Sequence, residues 1–175
     1  MIKITTDSTC DLPAALLEQY DVTVISLGIV KGDHLYKDGV DITPADIAAH
    51  VDGGGAITTT NAVNVADYEA LFREMTGKYD AVIHLNIGPD FSCCHQNAVL
   101  AAEEVPGVHV VSSENLSVGH GIQVLLAAEA ARAGKSVEEI LALLADLTPR
   151  VEMSFVLGRL DYMKKGGRCS SVTAL

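Results

Sequence analysis

Apolar residues in this chain come in short runs rich in Val and Ile, with helix-like stretches between most of them. The runs are MIKITT at 1–6, VTVISLGIV at 22–30, AVIHLNI at 81–87, VHVVS at 108–112 and EMSFVLG at 152–158. Runs of this length and composition predict strands. Their alternation with helical segments predicts an α/β fold, a largely parallel sheet with helices on both faces.

Local signals mark several helix starts. Thr43-Pro44-Ala45-Asp46 supplies an N-cap, a proline in the first turn and an acid to meet the helix dipole. Ser136 to Glu139 reads as a capping box. Asn64 can cap a helix from about Val65 to Thr76. Between Val30 and Asp41, Gly32, Asp33, Asp38 and Gly39 predict a hairpin or loop excursion, and Asp52-Gly53-Gly54-Gly55 a hinge or loop.

Composition then narrows the class. The 175 residues suit one domain, or one and a part. A mean hydropathy of +0.27 is high, yet no apolar run reaches the roughly 18 residues a spanning helix needs, since Glu129 breaks the stretch from Val124 to Ala131. MIKITTDST lacks the apolar segment of a signal peptide, so a cytoplasmic location is expected. Twelve basic against 23 acidic residues, a formal charge of −11, repel phosphate backbones and anionic lipid alike, which argues against nucleic-acid binding. Four cysteines without a CxxC pair suggest neither a zinc site nor a disulfide framework.

Ligands of open α/β sheets bind outside the carboxyl ends of the strands. The residues that follow the predicted strands are Thr6-Asp7-Ser8-Thr9, Gly88 and Ser92, Ser112-Ser113, and Gly158-Arg159. Such a lining of hydroxyls and glycines suits holding an anionic head group more than breaking a bond. It equally suits the ordinary capping and turning work of Ser, Thr and Gly. FSCCHQN, 91–97, is the densest of these segments. If a helix starts at Ser92, the N–H groups of Cys93, Cys94 and His95 form an anion site.

A Cys-His nucleophile is the alternative, because a thiol at a helix start has a lowered pKa. Neighbouring helical residues point about 100° apart, however, so Cys94 and His95 share a proton poorly. The remaining histidines are scattered without a motif. Three adjacent residues also cannot surround one tetrahedral metal ion. Ala133-Gly134-Lys135-Ser136 ends like a phosphate loop, but Glu129 stands where that motif needs glycine. Lys164-Lys165-Gly166-Gly167-Arg168 is the one basic cluster, either a solvated helix end or a contact for an anionic ligand or partner.

TTDSTCDLP, YKDGVDITP, TTTNAVNVADY, FSCCHQNAVLAAE and YMKKGGRCSSVTAL stand in the order and spacing of the DegV family of bacterial fatty-acid-binding proteins, which the whole chain resembles. The resemblance implies two α/β lobes, a long-chain fatty acid between them, and presentation of its carboxylate to a separate fatty acid kinase. It implies no catalytic residue and no cofactor beyond the bound acid. By position, Thr60 and Ser92 would hydrogen-bond the carboxylate. Arg168, in the Gly-Gly-Arg motif, would lie near the head group or on the kinase-facing surface. Asn61 replaces the family serine after the threonine, and Cys93 and Cys94 replace the glycine and threonine after Ser92, so the ligand set read here is Thr60, Asn61, Ser92, Cys93 and Arg168.

Family chains continue well past Leu175, so residues 1–175 resemble one DegV lobe whose residues from about 158 lead into a second lobe that is missing or truncated. Exposed apolar surface and self-association are then expected. Two other classes stay open: a cysteine-dependent acyl transferase or hydrolase using Cys93 or Cys94, and a module whose apolar face docks another protein.

Overall fold

In chain order the elements are β1 (Ile2–Asp7), α1 (Ala14–Gln19), β2 (Thr23–Ile25), β3 (Gly28–Lys31), β4 (His34–Lys37), α2 (Pro44–Asp52), β5 (Thr59–Asn61), α3 (Val65–Thr76), β6 (Ala81–Asn86), α4 (Cys94–Glu103), β7 (Val108–Ser112), α5 (Ser117–Arg132), α6 (Val137–Leu147) and α7 (Asp161–Lys165). They are taken from a computed structural model that describes residues 1–157 and 160–165. The chain divides into two units, one of Met1–Ile25 with Ala62–Met153, the other of Ser26–Asn61 with the described residues from Ser154 on.

The first unit holds a parallel sheet in the order β2-β1-β6-β7. Side chains of β1 and β6 alternate between its faces. Ile4, Ile83 and Leu85 pack with Val124, Ala127 and Ala128 of α5 and Ile140 and Leu144 of α6, and Leu17 of α1 joins this cluster. On the opposite face His84 meets the rings of Tyr68 and Phe72 from α3, with centroids 5.2 and 5.3 Å away. Both faces are therefore covered, as the alternating pattern predicts.

Three helix starts form where their local signals place them. Thr43 and Asp46 close a capping box at α2, and Ser136 and Glu139 close one at α6. Asn64 accepts the Asp67 N–H at the start of α3. Each satisfies backbone donors that a helix start leaves open.

The second unit holds an antiparallel sheet in the order β4-β3-β5. Its β3-β4 hairpin turns at Gly32, whose φ of +62° a side chain would strain. Gly28 is needed for contact rather than conformation, since a Cβ there would come within 2.7 Å of Leu35 Cδ1 and 3.1 Å of Asn61 Cβ.

Two predicted strands change. VTVISLGIV is not one strand: β2 ends at Ile25, and β3 begins at Gly28 in the other unit's sheet. The run EMSFVLG forms no strand over 152–157, where Phe155 and Val156 are exposed, and Gly158 and Arg159 lie outside the described residues. The capping account of α6 predicts that Ser136→Ala destabilises the first unit by about 1 kcal/mol, read as a lower urea midpoint with unchanged slope.

Candidate functional site

From β1 the sheet grows one way to β2, and from β6 the other way to β7. The crevice of such a sheet lies at the carboxyl ends of the two strands where the order reverses, here β1 and β6. Asp7, the last residue of β1, is fully buried at this point. One carboxylate oxygen accepts the Thr9 N–H at 3.0 Å and the Thr9 hydroxyl at 2.5 Å. The other accepts the Ile87 N–H at 2.9 Å and the Asn86 amide at 3.2 Å. A buried carboxylate needs such donors.

His120 of α5 stands beside it, with Nδ1 4.0 Å from the Asp7 carboxylate and 3.3 Å from the Thr9 hydroxyl, and Nε2 3.0 Å from the Thr6 hydroxyl. Burial lowers the His120 pKa despite the neighbouring anion. His84, paired through Nδ1 with the Thr5 hydroxyl at 2.7 Å, is pushed down to about 3, chiefly by burial against the opposing pull of Asp7. The histidines that looked scattered are thus, in two cases, buried on the two faces of the sheet, each paired with a hydroxyl of β1. They escape a sequence motif because 79 residues separate Thr5 from His84 and 114 separate Thr6 from His120.

Past β6, the Gly88 N–H donates to Asn115 O at 2.9 Å, and a Cβ at Gly88 would stand 3.1 Å from the Glu114 backbone. Glu114 and Ser117, in the loop after β7 and at the start of α5, have φ of +51°, and Asp11 after β1 has +50°. Strained backbone of this kind gathers at ligand edges.

Ser92 does not begin the helix. Cys93 occupies the N-cap without a side-chain bond, and α4 starts at Cys94. The half-buried Ser92 hydroxyl accepts the Cys94 N–H at 3.2 Å and lies 3.2 Å from Cys94 Sγ. Among the described residues the next N–H groups, of His95 and Gln96, donate no hydrogen bond. The helix start, and with it the first open N–H groups, thus lies two residues further along the chain than the sequence places it.

Cys94 is fully buried and its thiol is pushed up, first by desolvation. That is the opposite of an activated nucleophile. Cys93 is exposed. Thr60 and Asn61 are exposed on β5, paired with Ile29 and Gly28 of β3, and belong to the second unit, whereas Ser92 and Cys93 belong to the first. Arg168 lies outside the described residues. Among the described residues no cluster of His, Cys, Asp and Glu could hold a metal ion, and no helix is long and apolar enough to cross a membrane.

Apolar side chains also stand along this edge of the first unit. Phe91 precedes Ser92, Val118 is the second residue of α5, and Ile122 follows one turn later; all three are exposed. A cleft of about 600 Å³ beside β7 is walled by Val110, Val111, Leu141 and Ala145, with His95, Ser112 and Glu114 also lining it.

The model of a family described as "Uncharacterised protein, DegV family" matches residues 1–175. The chain belongs to the DegV family. A DegV domain-containing protein of Deinococcus radiodurans is 34% identical over 175 residues, 99% of this chain and 62% of that protein. One from Caldanaerobacter subterraneus is 34% identical over 176 residues, with the same coverage. Among solved structures, a Thermus thermophilus DegV protein described by its fatty-acid binding superimposes with a TM-score of 0.87 at 36% identity, over 99% of this chain and 62% of that one. A stearic-acid-binding protein from Eubacterium ventriosum gives 0.85 at 28%, over 100% and 64%. The chain thus spans less than two thirds of the length of these relatives.

Two outcomes follow from the buried groups. His84 is neutral in the fold to about pH 3 but titrates near 6.5 when unfolded, so its contribution is intact above about pH 6.5 and is lost as pH falls toward 3, at about 1.4 kcal/mol per pH unit. Urea titrations from pH 8 to 4 should show a shallower pH slope for His84→Phe than for the parent. Iodoacetamide at neutral pH should label Cys93 at least about tenfold faster than Cys94 in the native protein, by peptide mass spectrometry.

Proposed function

We propose that this chain is the greater part of a fatty-acid-binding protein, and that the start of α4 receives the carboxylate of a long-chain fatty acid. The observation that carries the reading is the match over 99% of the chain to a DegV protein described by its fatty-acid binding. Local geometry supports it. The His95 and Gln96 N–H groups stand open at the positive end of a ten-residue helix. The Ser92 hydroxyl adds a donor, because a carboxylate accepts its proton better than the Cys94 sulfur does.

An acyl tail supplies most of the affinity, at about 0.8 kcal/mol per buried CH₂. The exposed Phe91, Val118 and Ile122 support a role for this edge in meeting it. Donors at the head group prevent its being buried unpaired. Thr60 remains a carboxylate contact by resemblance alone, Asn61 and Cys93 remain the substituted positions beside Thr60 and Ser92, and Arg168 remains near the head group or on the kinase-facing surface. Presentation of the bound acid to a fatty acid kinase, without catalysis by this chain, belongs to the same proposal. The buried, proton-retaining Cys94 speaks against the acyl-transferase reading at that residue.

Native mass spectrometry and solvent extraction of the purified protein test it. A co-purifying, exchangeable fatty acid is expected, and Ser92→Ala should weaken palmitate binding about five- to tenfold, the effect of one hydrogen bond to a charged group. No bound or exchangeable acid in either assay would overturn the reading.

A further inference from the structure

The buried carboxylate of Asp7 has its oxygens taken up by protein donors, and in this way it joins the loops after β1 and β6. Through one oxygen it holds Thr9, two residues beyond β1; through the other it holds the N–H of Ile87, the first residue beyond β6. From Ile87 the network continues at once: Gly88 donates to Asn115 O at 2.9 Å, and the Asn115 amide donates to Val151 O at 3.1 Å. Behind it, the Gln123 amide reaches Ser113 O at 2.8 Å, and Thr148 reaches Gln123 at 2.9 Å. The loops after β1, β6 and β7 are thus linked in one chain of hydrogen bonds.

The geometry points to Asp7 as a positioning residue, a carboxylate staple that sets the path of the 87–93 turn and so the placement of Ser92 and the open N–H groups behind it. Only an acceptor on both oxygens can do this. An asparagine would turn its NH₂ against either the Thr9 N–H or the Ile87 N–H, and one arm would break. The ordinary alternative, a buried polar group that merely stabilises the core, predicts loss of stability spread over the unit. A staple predicts loosening confined to the turn. The staple itself is independent of ligand identity; its effect on affinity rests on the fatty-acid reading.

The test is amide exchange by mass spectrometry and palmitate titration on the full chain, for the parent, Asp7→Asn and Thr9→Val. Asp7→Asn should raise exchange over 87–93 at least tenfold and weaken palmitate at least tenfold, with exchange in α6 at the parental rate. Thr9→Val, which removes only the hydroxyl arm, should weaken palmitate less than threefold. Exchange over 87–93 within twofold of the parent, or raised equally in α6, overturns the staple. If the parent takes no palmitate, the fatty-acid reading falls and the exchange comparison still decides the staple. If Asp7→Asn does not fold, the parent decides: a slowly exchanging, downfield Ile87 amide proton is expected by NMR, and a rapidly exchanging one overturns the proposal.

Discussion

A carboxylate taken out of water must find protein donors for its lone pairs, and in this chain that requirement falls on Asp7 at the point where the sheet order reverses. Its donors come from β6, from the loop after β1 and from the loop after β6, segments about 80 residues apart in sequence. Meeting the requirement ties the end of β1 to the end of β6, where each chain segment leaves the sheet. The crevice that α/β sheets open at such a point is consequently framed by constrained loops. Tyr68, hydrogen-bonded to Asn86, and His84, bonded to Thr5, extend the polar layer beneath the helices of one face. An apolar cluster under α5 and α6 carries the other face.

Much of the fold was legible because its signals are local. Thr43, Asn64 and Ser136 mark their helices with cap chemistry that depends on a few adjacent residues. Val and Ile runs mark β1, β6 and β7 for the same reason. What the sequence concealed is decided by tertiary context. VTVISLGIV contains no proline or turn signal at Ser26-Leu27, so nothing in it announces that the chain passes from one sheet to another. β5 is three exposed residues held by pairing with β3, too short for periodicity to detect. EMSFVLG has strand composition, but composition cannot provide a neighbouring strand, and residues 152–157 do not form one.

The site was partly legible. Ser92 was singled out for its place after a strand, and it does stand at a helix start; but Cys93 takes the cap position and Cys94 begins the helix. Cys94, which by spacing alone could be a reactive thiol, is packed beneath the turn. The Asp7 network was missed as a unit. Its trace in the sequence is the polar content of strands otherwise reading as buried: Thr5, Thr6 and Asp7 in β1, His84 and Asn86 in β6. Polar residues at interior strand positions need partners, and a search for them would have joined these two strands.

The central claim is that the free N–H groups at the start of α4 receive the carboxylate of a fatty acid. The most direct measurement is an amide NMR titration of the delipidated protein with palmitate. The account predicts that the His95 and Gln96 amides shift downfield and saturate together with the turn at 91–93. Saturable palmitate binding that leaves those amides unmoved would contradict it.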